Sequence, residues 1–379
     1  MFDRRQVLIG GAAASLIGPR LAWATAETER RVIFLIQRGA ADGLATLAPT
    51  GDPAYAGLRG ELAAELMDRP RLGGMFALHP ALERIGGLYG EGQALFAHAV
   101  ASPYRDRSHF DGQNVLETGG ERPYERKDGW MNRLIGLIPG APRALAISAT
   151  IPAALRGSIQ VSSYAPTNLP EAPQELLQRV SMLYESDAQL HALWGEALQT
   201  RAMAGDLAGG TQRGAVAAGQ LIASLMAGPD GARIVMAETT GWDTHAGQRG
   251  RLNTQLTALD ALIGALKDSL GAAWSQTLVI VATEFGRTAA VNGTGGTDHG
   301  TGSLAMLLGG TVAGGRIVAD WPGLAATQLY EGRDLKPTQS IDAVLAGALA
   351  GHFGLDPQRA APLLFPGGAG RPLTGLIKG

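Results

Sequence analysis

Short apolar runs recur along the chain at Val32 to Ile36, Ala94 to Val100, Ala144 to Ile147, Ile234 to Ala237, Leu278 to Ala282 and Ala305 to Leu308. Each run is continuous rather than alternating, which is the pattern of a strand covered on both faces, as in a parallel sheet. Between them lie stretches with apolar residues at helical spacing: Ala81 to Leu88, Trp130 to Leu137, Gln174 to Tyr184, Ala188 to Met203, Gly214 to Met226 and Leu252 to Leu270. The alternation predicts an α/β sandwich with a mostly parallel central sheet. Residues 166–229 hold consecutive helical patterns and no strand pattern, so this segment reads as a helical insertion in the manner of a cap. Its charges, including Glu175, Arg179, Glu185 and Asp187, read as a solvated face. With no internal repeat and no low-complexity linker, residues 25–379 are expected to form a single domain.

The first residues depart from this alternation. Arg4 and Arg5 precede an uncharged stretch from Gln6 to Gly18 that is too short to span a bilayer. Pro19, Arg20 and the small-residue pattern Ala22-Trp23-Ala24 follow, so residues 1–24 read as a twin-arginine signal peptide cleaved after Ala24. The expected partner during export is the twin-arginine translocase, and the expected location is periplasmic or secreted, with no stable membrane insertion after cleavage. That route carries folded proteins, often with a metal already loaded, and so raises the expectation of a metal.

Composition narrows the chemistry further. The chain has no cysteine, which excludes disulfides, thiolate ligands and a cysteine nucleophile and leaves His, Asp and Glu to hold any metal. Its formal charge of -2 is nearly balanced, and no basic run points to nucleic acid or an anionic membrane surface. A small molecule or a polymer is the expected partner. The 45% hydrophobic content supports a substantial core, and 54 glycines suit many tight turns.

Polar clusters sit just after the apolar runs, at the carboxyl ends where open α/β sheets place their ligands. They are Gln37-Arg38-Gly39-Ala40-Ala41-Asp42-Gly43, the segment Tyr104 to Asp111, Gly241-Trp242-Asp243-Thr244-His245 and Thr283-Glu284-Phe285-Gly286-Arg287-Thr288, followed by Gly296-Thr297-Asp298-His299-Gly300. Asp243 and His245, one residue apart, either reach a common metal from an irregular loop or form a turn with a hydrogen-bonded histidine. Glu284 follows a fully apolar strand, so its carboxylate must be paired, metal-bound or solvated in a cleft, and Arg287 is its candidate pairing partner. Asp298 and His299 make either a ligand with its neighbour or a polar turn. Ser108 is either an N-cap or a nucleophile among Arg105, Arg107 and His109 at a helix start, where N–H groups and the helix dipole favour an anionic ester. His98 reads as a core residue, His79 as structural at a helix start, and His191 and His352 fall on helical patterns without acidic partners.

The set RGAADGL, LHPAL, RSHFDGQ, GWDTH, TEFGRT and GTDHG, in this order behind a twin-arginine signal, resembles the bacterial family catalogued as domain of unknown function 1501. The resemblance runs from about Val32 to about Pro366. That family is placed in the alkaline phosphatase-like superfamily, with sulfatases and cofactor-independent phosphoglycerate mutases, which implies a three-layer sandwich. Carried over by motif, the resemblance implies Asp42 as the first metal ligand, Ser108 as nucleophile, Asp243 and His245 as a ligand pair, Glu284 on the next ligand strand and His299 as the last ligand. The chain departs from the superfamily in placing Phe285 where a second ligand often stands and in a shorter Asp243-to-His245 interval. Both point to a mononuclear or degenerate centre. No Cys or Ser stands in a Cys/Ser-x-Pro-x-Arg setting, so a formylglycine sulfatase mechanism is unsupported.

The expected function is an exported hydrolase of a phosphate or sulfate ester using one or two divalent ions, of Zn, Mn, Ca or Mg. In it Arg38, Arg107 or Arg287 neutralises the ester oxygens, Asp298 contacts the substrate, and His109 donates a proton to the leaving group. The alternative is an exported binding or assembly protein that kept the fold without the chemistry, with Phe285 as its support.

Overall fold

Seven consecutive buried residues, Arg31–Gln37, form β1 at the middle of the main sheet. Val32, Phe34 and Ile36 enter one hydrophobic cluster while Ile33 and Leu35 enter another. Such two-sided burial is what the continuous apolar run encodes, since successive strand side chains point to opposite faces. The computed structural model describes residues 28–165, 174–184 and 214–379, with 187, 190 and 194 between them. The expected signal peptide and the helical pattern from Ala188 to Met203 lie outside the described residues, apart from those single positions.

The remaining strands of the nine-stranded sheet are β2 (Ala94–Ala101), β3 (Ala144–Ile147), β4 (Ser162–Tyr164), β5 (Ile234–Thr239), β6 (Thr277–Ala282), β7 (Ser303–Leu308), β8 (Arg316–Val318) and β9 (Gln339–Ser340). Their order is β8-β2-β7-β6-β1-β5-β3-β4, with β9 paired to β2. All pairings are parallel except those of β7, which runs antiparallel to both β2 and β6. The sheet is therefore mostly parallel, as the apolar runs predict.

Helices cover both faces. One layer contains α3 (Trp130–Leu137), α7 (Ile341–Phe353) and α8 (Pro357–Leu364), with Trp130, Leu134, Val344 and Leu364 packed against Phe34 and its neighbours. The other contains α1 (Glu83–Gly90), α5 (Ala215–Leu225) and α6 (Gln248–Leu270), with Ile85, Leu221, Ile222 and Leu256 packed beneath Ile33 and Leu35. The result is a three-layer α/β sandwich. Of the segment 166–229, two helices are described: α4 (Gln174–Tyr184) and α5. Because α5 buries its apolar face in the core beneath β1, its stretch belongs to a layer of the sandwich. Gly219 permits the close approach of α5 to α6 within that layer, since a Cβ there would lie 2.5 Å from the Leu262 carbonyl of α6. Among the described residues, no helix is long and apolar enough to cross a membrane.

Register places the functional loops. Gln37 of β1 pairs with Thr239 of β5, and Ile36 with Ala282 of β6, so these carboxyl ends share one rim. Antiparallel β7 brings its start to that rim, where Ser303 pairs with Val100 near the end of β2.

Candidate metal centre

The loop after β5 carries Asp243 and His245, the loop before β7 carries Asp298 and His299, and α2 (His109–Thr118), which follows β2, begins with His109. Asp243 Oδ1 lies 3.0 Å from His245 Nε2 and 3.2 Å from His299 Nε2, and Asp243 Oδ2 lies 3.5 Å from His109 Nε2. The ligand atoms of His109, Asp243 and His299 all lie within 4.8 Å of one another, a group able to hold a metal ion.

The far nitrogens explain why the rings point inward. His109 Nδ1 lies 2.8 Å from Glu284 Oε1, His245 Nδ1 lies 3.0 Å from Asp298 Oδ1, and His299 Nδ1 lies 3.0 Å from the Arg107 carbonyl. A carbonyl only accepts, so His299 carries a proton on Nδ1. Anchoring of this kind, by carboxylate or carbonyl, orients metal-binding histidines and leaves Nε2 as the ligand atom. His245 Nε2 and His299 Nε2 then stand 3.0 Å apart beside a carboxylate oxygen, an arrangement of electron-rich atoms that a cation would relieve. His109 Nε2 is buried without a hydrogen-bond partner. The imidazoles of His109 and His299 with the Asp243 carboxylate are a donor set suited to zinc or a similar borderline ion, and His245 stands beside them.

Electrostatics hold the cluster in this state. Burial pushes the Asp243 carboxyl up, but hydrogen bonding and charge from Arg287 hold it below the usual carboxylate range. Arg287, itself fully buried, donates to Asp243 at 2.6 Å and to Thr297. The Glu284 hydrogen bond raises the pKa of His109, whereas burial and then the neighbouring His109 lower that of His299. Glu284 stays ionised against its burial because His109, Gln113 and the backbone N–H of Gly39 all donate to it.

The structure therefore gives several expected site residues other work. Asp42, expected as the first ligand, is 1% exposed, pairs with buried Arg59 at 2.5 Å, accepts from Gln248, and caps the short helix Gly43–Thr46 through Leu44 N and Ala45 N. With its oxygens so occupied, it stands outside the imidazole cluster. Glu284, also expected as a ligand, anchors His109 instead, and Arg287, expected to contact the substrate, pairs with Asp243 rather than with Glu284. Asp298 anchors His245. Arg38 is held by Glu117, Glu238 and Gln113, and Arg107 by Asp334 and Glu331. His109, expected as a proton donor, points its Nε2 at the cluster. Ser108 is the N-cap of α2 by position, yet its side chain makes no capping hydrogen bond, and its backbone N–H donates to the Tyr104 hydroxyl at 3.1 Å.

Phe285 is 3% exposed and stacks on His109 with ring centroids 5.1 Å apart, while His299 lies 5.3 Å away. It walls the centre with apolar surface. Gly39 brings the β1 loop against the centre: its φ is +116°, and a Cβ there would lie 2.7 Å from Asp243 N. Arg59 and Gln113 were not singled out by sequence. For Gln113, its position four residues after His109 on α2, which puts both on one helix face, was the available signal.

The protein is thus an α/β sandwich with a mostly parallel sheet and a candidate metal site at its carboxyl rim. It belongs to the family described as "Protein of unknown function (DUF1501)", whose model matches residues 93–362. No curated protein sequence matches the chain. Similar solved structures include the zinc complex of the C-terminal periplasmic domain of EcEptC from Escherichia coli, with 8% identity, a TM-score of 0.40 and coverage of 75% of this chain and 74% of that one. Alkaline phosphatase from the Antarctic bacterium TAB5 aligns at 13% identity with a TM-score of 0.36, covering 76% of this chain and 94% of that one. BT1596, a 2-O GAG sulfatase, aligns at 8% identity with a TM-score of 0.37, covering 91% and 76%.

Proposed function

We propose that the protein is an exported, metal-dependent hydrolase of phosphate or sulfate esters, with Ser108 as the nucleophile. The observation that carries this reading is the convergence of three Nδ1-anchored imidazoles on the Asp243 carboxylate. His109, Asp243, His245 and His299 would hold one ion, and the nitrogen-rich set favours zinc over manganese, magnesium or calcium. A divalent ion there supplies Lewis acidity toward an ester oxygen.

The chain's own groups do the rest. Ser108 precedes His109 at the start of α2, its hydroxyl free of capping duty, where N–H groups and the helix dipole favour an anionic ester. Arg287 keeps Asp243 ionised, and Phe285 excludes water from the inner wall. Commitment of Asp42 to Arg59 supports a single metal centre. The twin arginine at Arg4 and Arg5 supports a periplasmic or secreted location.

The test is elemental analysis of natively exported protein together with assays on aryl phosphate, phosphodiester and aryl sulfate esters. The expected result is one ion per chain, lost in His299→Ala, and hydrolysis abolished in Ser108→Ala with the ion retained. Protein that holds no ion and hydrolyses none of these esters after reconstitution with Zn, Mn, Mg or Ca overturns the proposal.

A further inference from the structure

Beside the candidate centre, along the outer side of α2, runs an open groove of about 350 Å³, in the size range of small-ligand sites. It adjoins the centre through Gln113, which lines the groove and donates to Glu284, the anchor of His109. Two features set it apart from ordinary polar surface.

The first is aromatic. Phe110 and Tyr124 both line it and are 80% and 55% exposed, although aromatic rings ordinarily bury most of their surface. Tyr124 is held there against its own backbone preference: its φ is +59°, a left-handed conformation that is costly for a non-glycine residue. Asn114 fixes that conformation by accepting the Tyr124 N–H at 2.7 Å. Strain retained to display a ring suits a surface that binds with the ring.

The second is electrostatic. Arg38 in the groove pairs with both Glu117 and Glu238, a trio with one excess negative charge that Arg156 balances. Arg156 donates its Nε to the Ile151 carbonyl, and among the described residues no carboxylate pairs with it. Ser148, Thr150 and Asn114 add hydroxyl and amide groups to the lining, beside Pro152 and Ala153. Exposed aromatic faces over a hydrogen-bonding floor whose charges balance match the C–H faces and hydroxyl edges of sugar rings, and the Arg156 guanidinium, with no carboxylate partner among the described residues, is placed to donate to an anionic substituent.

We infer that this groove is a saccharide subsite, and that the ester acted on at the centre is carried by an oligosaccharide bearing anionic groups. The inference rests on the hydrolase reading for its second half only. The experiment is calorimetric titration of the full-length protein with chondroitin sulfate tetrasaccharide, its desulfated counterpart and an unrelated acidic peptide, alongside hydrolysis of an aryl ester.

The expected results are binding of the sulfated tetrasaccharide, weakened roughly tenfold or more in Phe110→Ala and in Tyr124→Ala, with unchanged metal content. Arg156→Gln should remove the preference for the sulfated over the desulfated form. Binding that survives both aromatic substitutions, no binding of either saccharide, or binding of the peptide alone overturns the subsite. Saccharide binding that depends on Phe110 and Tyr124 in a protein that hydrolyses no ester leaves the subsite standing and removes the hydrolase reading, so the two failures are separable.

Discussion

At the scale of the residue, the imidazoles of the candidate centre are aimed by oxygens on their outer side. Glu284 spends one oxygen on His109, Gln113 and Gly39, and this fixes which imidazole nitrogen faces inward. Replacing Glu284 with Gln keeps the volume and removes the charge. Loss of such an outer partner typically weakens metal binding by about 10–100-fold, and that fall, measured by competition with a chromogenic chelator, is the expected result. Total loss of the ion from Glu284→Gln would instead mark Glu284 as a direct ligand. The distinction shows what sequence left illegible: spacing after an apolar strand marked Glu284 as special, but ligand and anchor occupy positions of the same kind. Asp42 looked equally special, and only folding reveals Arg59, 17 positions away, as its counter-ion. His245 and His299 stood out as Asp-x-His and as Asp-His between glycines, each equally readable as a polar turn, and folding brings both rings beside Asp243.

At the scale of the element, the rim is assembled by strand ends that approach more closely than side chains normally allow. Gly39 is the tightest joint between the loop after β1 and the loop carrying Asp243, and its positive φ adds a conformational demand. Gly39→Ala should cost about 1–3 kcal/mol of stability in denaturant unfolding, from the strained backbone alone, and weaken metal binding by displacing Asp243. Unchanged unfolding and unchanged metal affinity would show that the two loops yield independently.

The six apolar runs forecast the longer strands within a residue or two, because complete burial on two faces leaves a simple signature. Strand direction leaves none, and antiparallel β7 reads no differently from its parallel neighbours. That reversal is what delivers Asp298 and His299 to the rim from the start of a strand rather than its end. The placement of α5 was hidden for a related reason: an apolar helix face says that something covers it, not which surface does.

At the scale of the whole molecule, buried groups that take no part in the centre set the response to pH. His98 is fully buried, with Nδ1 accepting from Ala99 N and Nε2 facing the Leu47 carbonyl, and burial pushes its pKa down to about 4. Burial likewise pushes His352 down to about 3. Both contributions are complete above the unfolded value near 6.5 and are lost as pH falls toward the folded values, each at about 1.4 kcal/mol per unit.

Asp342 acts in the opposite sense. It is 1% exposed near the start of α7, its Oδ1 has no partner, and burial pushes it up to about 7. The helix dipole there favours a carboxylate by about 0.3–1 kcal/mol, too little against the loss of hydration. Its contribution is complete below the unfolded value near 3.9 and is lost as pH rises through 7. Asp342→Asn should therefore match the wild type near pH 4, where both side chains are neutral. By pH 8 it should exceed it by about 4 kcal/mol in denaturant unfolding, with the acid-side loss from the histidines intact. A difference that stays constant from pH 4 to pH 8 would mean that Asp342 keeps the same charge in the folded and unfolded chain.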